Sequence, residues 1–125
     1  MRVMSWIDAA GDEYRPEMFD EATCRAWVLN RLHPGGASCP ACSFDVQDAR
    51  RLERFWQNER ISCESCGKKF SATSATVLSG MHLSFRELFY LLQQSAAGVN
   101  AQEISRKMNV DGNTVRLWIS RLRNE

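Results

Sequence analysis

Apolar positions recur at helical spacing through the last third of the chain. Phe85, Leu88, Phe89 and Leu92 stand at i, i+3, i+4 and i+7. Ser84 with Glu87 forms a capping box ahead of them, and Leu83 with Leu88 forms the accompanying hydrophobic staple. Gly98 is placed to end that helix. Asn100 with Glu103 opens a second helix, stapled by Val99 and Ile104, with Ala101, Ile104 and Met108 inward and Asn109 as a left-handed stop. Asp111 caps a third, stapled by Val110 and Val115, with the stripe Val115, Trp118, Ile119 and Leu122. Residues 83–123 therefore predict three helices.

Upstream the pattern is less regular. Residues 19–33 read as a lead helix: Asp20 is the N-cap, Phe19 and Cys24 the staple, and Cys24, Trp27, Val28 and Leu32 lie on or near one face. His33-Pro34-Gly35-Gly36 stops it. Residues 1–18 lack clear periodicity, with Gly11, Asp12 and Pro16 as breakers. They predict an irregular arm or one short helix anchored by Trp6 and Ile7. Between these segments, Leu52–Trp56 and Arg60–Ser62 are expected as strands around Gln57-Asn58-Glu59, with a third extended stretch at Lys69–Thr73.

Composition narrows the class. The 125 residues are 44% hydrophobic and 25% charged, which argues against disorder throughout. The longest apolar run, Leu88 to Leu92, is too short to span a bilayer. The first residues have no apolar core before Asp8, so neither a secretion signal nor a membrane partner is expected. The expected location is the cytoplasm, with nucleoid association when bound to DNA. Net charge is +1, unevenly spread. Residues 1–49 hold four arginines against eight acids, and residues 50–125 hold twelve Lys/Arg against seven acids. The C-terminal part is the better candidate to meet a polyanion.

In a reducing compartment the five cysteines read first as metal ligands or thiols. Four of them form Cys39-x2-Cys42 and Cys63-x2-Cys66, separated by twenty residues. Two knuckles of this spacing complete a tetrahedral S4 site, which favours one structural Zn2+. Paired redox motifs would need a βαβ context that is absent, and an iron–sulfur cluster is the weaker fit. With four thiolates the site is closed, so metal catalysis is not expected and no enzyme activity is assigned. Gly67 supplies a permissive backbone after the second knuckle, whereas Ser43 holds the equivalent place in the first and is expected to be strained there. Cys24 is expected to be a buried helix residue, His33 finds no ligand vacancy, and His82 is expected at the entrance to the helical unit. Arg50, Arg51, Arg54, Arg60, Lys68 and Lys69 interleave with Phe55, Trp56 and Phe70. Phe70 is expected in the core, while Trp56 suits either core or a stacking surface.

Only Asn109-Val110-Asp111 separates the second and third C-terminal helices, the spacing of a helix-turn-helix. In that arrangement the third helix enters the major groove. Asn113, Thr114, Arg116, Leu117 and Ser120 would face the bases, with asparagine suited to adenine and arginine to guanine. Arg121, Arg123, Arg106 and Lys107 would meet phosphates, as would backbone N–H groups from Asn100 to Gln102. The plainer alternative is a solvated polar face, which any three-helix unit has.

The order of parts over residues 19–123 resembles the N-terminal region of a group of bacterial insertion-sequence transposases. The matches are Cys39-Pro40-Ala41-Cys42, Cys63 to Ser71 (CESCGKKFS), the Ser/Thr-rich Ala72 to Val77, read as a strand, and Gly98 to Trp118. The resemblance implies a DNA-recognition region. The family's catalytic domain, with its three metal-binding carboxylates, has no counterpart within this sequence. The expected fold is α+β: an arm and lead helix over 1–36, a four-cysteine zinc ribbon over 37–80, and a trihelical helix-turn-helix over 81–125. The expected function is sequence-specific double-stranded DNA binding, as a transcription regulator of a phage or mobile element. One such unit reads a half-site, so a homodimer or a second contact is expected, for which residues 1–32, or Trp6 and Trp27 within them, are the candidates. The alternatives are an adaptor docking on a protein such as RNA polymerase, and a DNA-recognition subunit of a separate transposase catalytic chain.

Overall fold

The computed structural model describes residues 5–12 and 20–123. The described residues are mixed helix and strand: α1 Trp6–Asp12, α2 Glu21–Leu32, α3 Ala49–Trp56, β1 Ile61–Ser62, β2 Lys69–Phe70, α4 Phe85–Ala96, α5 Ala101–Met108 and α6 Gly112–Arg123. They belong to two compact units, one of residues 25–82 and one of residues 1–24 with 83–125.

The helical unit follows the pattern of its sequence. Ser84 and Glu87 complete a reciprocal capping box at α4. Gly98, at φ 85°, ends that helix in a Schellman motif: its N–H donates to Ser95 O, and the Val99 N–H donates to Gln94 O. The Asn100 side chain accepts from the Glu103 N–H, and Asn109 ends α5 in the left-handed region at φ 56°. Asp111 precedes α6 and its carbonyl accepts from the Val115 N–H. Phe85, Leu88, Phe89, Leu91, Leu92, Ile104, Val115, Trp118 and Leu122 are all buried.

The arm is a short helix joined to this core. Trp6, Ile7, Ala9 and Ala10 of α1 are buried, and α1 packs on α4 and α6. Gly11 does not break α1; it lies within the helix, where the absence of a side chain permits close approach. A Cβ built there would stand 2.8 Å from the Ala96 Cβ of α4. The predicted breaker Pro16 and staple residue Phe19 lie outside the described residues. At the start of α2, Asp20 caps as expected, its carboxylate accepting from the Thr23 N–H at 2.7 Å. That bond leads the effects holding its carboxyl below the ordinary range. Glu21 does something local pattern does not announce. Its two carboxylate oxygens accept from the Phe85 and Arg86 N–H groups at 3.0 and 2.9 Å, giving α4 a second, long-range N-terminal cap.

The unit of residues 25–82 corrects the strand assignment. Ala49–Trp56 is a helix, not a strand, so no hairpin fills the space between the two cysteine pairs. Asp48 caps this helix by accepting from the Arg51 N–H at 2.9 Å. Asn58, at φ 59°, closes it, with the Glu59 N–H donating to Arg54 O. The turn read at Gln57-Asn58-Glu59 is therefore a helix terminus. β1 pairs antiparallel with β2, Ile61 opposite Phe70 and Ser62 opposite Lys69, so the hairpin brackets the second cysteine pair. Residues 72–80, expected to begin as a strand, form consecutive turns held by local bonds such as Thr76 Oγ1 to Thr73 O. Phe55, Ile61, Phe70, Ala72 and Leu78 are buried. Phe55 meets His33, Trp56 and Phe70 edge to face at centroid distances of 4.9, 5.1 and 6.3 Å. Phe70 is thus core, and Trp56 is half-buried against Phe55.

Candidate metal centre and candidate nucleic-acid interface

Cys39, Cys42, Cys63 and Cys66 converge, with all four Sγ atoms within 4.8 Å of one another. Cys39 faces Cys66 at 3.7 Å and Cys42 faces Cys63 at 3.6 Å. A tetrahedron with metal–sulfur bonds of about 2.3 Å has edges of about 3.8 Å, so the thiols stand at the separation one ion requires. Cys39 and Cys63 are buried, and Cys42 and Cys66 are exposed.

The two knuckles repeat the same local structure. In the first, the Cys39 N–H donates to Phe44 O and the Ser43 N–H to Cys39 O; in the second, Cys63 N–H donates to Lys68 O and Gly67 N–H to Cys63 O. Ser38 bridges Asp45 as Ser62 pairs with Lys69. Both turns need a left-handed residue at the same place, and Ser43 adopts φ 65° where Gly67 adopts φ 77°. The strain expected at Ser43 is present.

Backbone amides point at the sulfurs. Ala41 N–H donates to Cys39 Sγ at 3.4 Å, and the Ser65 and Cys66 N–H groups donate to Cys63 Sγ at 3.3 and 3.4 Å. Led by the Cys66 N–H and against burial, these donors pull the Cys63 thiol down to about 6. The Phe44 amide favours the Cys42 thiolate, but partial desolvation and the three neighbouring thiols outweigh it and push Cys42 up to about 11. The donor set suits a single metal ion.

His33 takes no part in this cluster. Its Nε2 donates to Ala72 O at 2.6 Å, tying the end of α2 to the chain beyond β2. Cys24 is buried in α2, and burial raises its thiol.

In the helical unit, α5 and α6 are joined by a closed turn. Ser105 Oγ donates to Val110 O, and the Val110 N–H donates to Ser105 O at 3.2 Å. α6 turns Val115, Trp118 and Leu122 inward. Asn113, Arg116, Leu117, Ser120, Arg121 and Arg123 are exposed, and Thr114 is half-buried. Leu117 is 50% exposed, unusual for a large apolar side chain in this chain. Arg121 lies over the Trp118 ring, 5.0 Å from its centroid. On α5, Gln102, Arg106 and Lys107 are exposed, and Arg106 forms an ion pair with Glu103.

An open groove joins the start of α5 to one flank of α6. Asn100, Ala101, Arg116, Ser120 and Arg123 line it, together with Val99, which the sequence did not single out for this role. Asn113 and Arg116 are also not paired in the sequence analysis. Arg116 Nη2 donates to Asn113 Oδ1 at 2.7 Å. Spacing of three on a helix was the available signal.

Among the described residues no helix is long and apolar enough to cross a membrane. Comparison with protein-family models, with curated proteins and with solved structures finds no match to this chain.

Proposed function

We propose that this chain holds one structural zinc ion on Cys39, Cys42, Cys63 and Cys66, and that it binds double-stranded DNA sequence-specifically with α6 in the major groove. The zinc reading rests on the S4 donor set, which leaves no open coordination position and so assigns the ion to holding the fold. The two knuckles with α3 between them form a zinc-ribbon-like patch of modified layout.

The observation that carries DNA binding is the outer face of α6, which follows α5 through the three-residue turn Asn109-Val110-Asp111. That arrangement matches a helix-turn-helix within a trihelical unit. α6 contains three arginines and no acidic residue. The helix dipole accounts for Arg121 and Arg123 in the last turn but not for Arg116, which stands nearer the start. The groove beside it opens onto the α5 N-terminus, where backbone N–H groups could hold a phosphate. The role that fits is regulation of transcription in a phage or mobile element, by occupancy or recruitment and not by bond-breaking, as a homodimer on paired half-sites. The same surface would serve a recognition subunit of a separate transposase.

The test is selection from random duplex DNA by the zinc-loaded chain at two salt concentrations. A recovered motif is expected, with Arg116→Ala weakening specific binding more than non-specific binding. Retention without a motif, lost at higher salt, would leave phosphate contact only. No retention at either salt would favour the adaptor reading, for which Phe44 is the motivating feature, 36% exposed beside the first knuckle.

A further inference from the structure

Arg116 and Asn113 stand on the same face of α6, and each is of a type that can read a base. Treated separately, they would read two bases. The structure couples them: the guanidinium already donates to the Asn113 amide oxygen at 2.7 Å. Gly112, one residue before Asn113, lies beside the guanidinium on the other side. A Cβ there would reach van der Waals contact at 3.5 Å with both terminal guanidinium nitrogens. Arg116 is thus folded back along the first turn of its own helix and held by a specific bond.

We infer that Arg116 is the guanine reader of α6 and that Asn113 is its positioning residue, not a reader of adenine. This rests on the DNA-binding reading above. A guanidinium carries five N–H donors, so the bond to Asn113 leaves four, enough for the two-donor fork that guanine O6 and N7 accept. A bidentate adenine contact would need the Asn113 oxygen to accept from N6–H₂ while its NH₂ donates to N7. In the free protein that oxygen is turned onto the guanidinium. A flexible arginine must be ordered before it can fork onto a base, and a bond formed in advance lowers that entropic cost. The pair therefore specifies one G·C base pair.

The experiment is the random-duplex selection repeated with Arg116→Ala, Asn113→Ala and Asn113→Asp, followed by affinities for the recovered site and its single-base variants. Both positions are exposed, and circular dichroism checks that helix content is kept. Arg116→Ala is expected to lose preference for one G·C pair by roughly 5- to 150-fold, the range a bidentate contact supplies. Asn113→Ala should weaken preference at that same pair and at no other. Asn113→Asp keeps an acceptor for the guanidinium but cannot donate to adenine N7, so the guanine preference should survive even as phosphate repulsion lowers total affinity. Loss of a separate A·T preference in Asn113→Ala, with the G·C preference intact, would overturn the inference. So would an Asn113→Ala motif identical to the wild type, or an Arg116→Ala motif that keeps every G·C preference. In those cases the wild-type motif still stands. A wild-type chain that recovers no motif defeats the DNA reading itself, and this inference with it.

Discussion

Gly11→Ala adds one methyl group where α1 meets α4, and its effect can be worked from the contact. The new Cβ would sit 2.8 Å from the Ala96 Cβ. Carbon–carbon contacts are comfortable near about 3.5–4.0 Å, so the helices must part by about 1 Å or shift along one another. Ala9 and Ala10, buried on the same short helix, resist either movement, although Gly11 and Ala96 themselves lie at the exposed rim of the contact. Overpacking of this kind costs about 1–3 kcal/mol, while exchanging glycine for alanine in a helix returns up to about 1 kcal/mol, so a net loss of about 1 kcal/mol is expected. Ala96→Gly alone costs up to about 1 kcal/mol through helix propensity. In the double variant the collision is gone and the two propensity changes cancel, which brings stability back to within about 0.5 kcal/mol of the wild type. Native-state amide exchange at Leu88, Leu91 and Leu92, buried in α4, reads the stability of this unit. Equal or greater protection in Gly11→Ala, or failure of Ala96→Gly to restore it, would refute the close approach and the role of α1 as a brace for α4.

Three further outcomes follow from the geometry. Glu21→Ala should lower stability by about 1–2 kcal/mol in thermal unfolding, since it releases two N–H groups at the start of α4, and Glu21→Gln should lose less because one acceptor remains. Ser43→Gly should relieve left-handed strain, whereas Gly67→Ser should introduce it at about 1–2 kcal/mol; a chelator titration should show metal held more tightly by the first variant and less tightly by the second. Metal removal, or Cys63→Ala, should abolish exchange protection at Ile61 and Phe70 while leaving the amides of α4 to α6 protected.

What the sequence revealed and what it concealed divide along the range of the interactions. Ser84, Gly98, Asn100 and Asn109 act on backbone groups within a few residues, so their residue types mark helix ends directly. The cysteine spacing likewise describes two local turns, and only their meeting is long-range. α3 reads as a strand in the sequence because Leu52 to Trp56 is short and rich in side chains that also suit strands. The discriminating signal was Asp48 three residues before Arg51, the position of an N-cap. Glu21 on α4 and Gly11 on Ala96 could not be read locally, because each depends on segments far apart in the chain. The Asn113–Arg116 bond is local, but whether two compatible side chains on a helix face bond each other or face solvent is settled by rotamers.

The discontinuity of the helical unit has a consequence for how the chain emerges during synthesis. The segment 25–82 lies between α1 and the helices that α1 packs on. Glu21 is made 64 residues before the Phe85 N–H that it caps. At about 5–20 residues per second, that is a wait of roughly 3–13 s. The cysteine-bearing unit is contiguous and can complete its turns as soon as it clears the ribosome. Trp6 and Ile7, in contrast, must stay exposed until the last third of the chain arrives. The nascent chain thus carries an uncovered apolar segment from the emergence of α1 until α4 and α6 follow. That interval, more than the finished fold, is when the protein is most open to capture by chaperones.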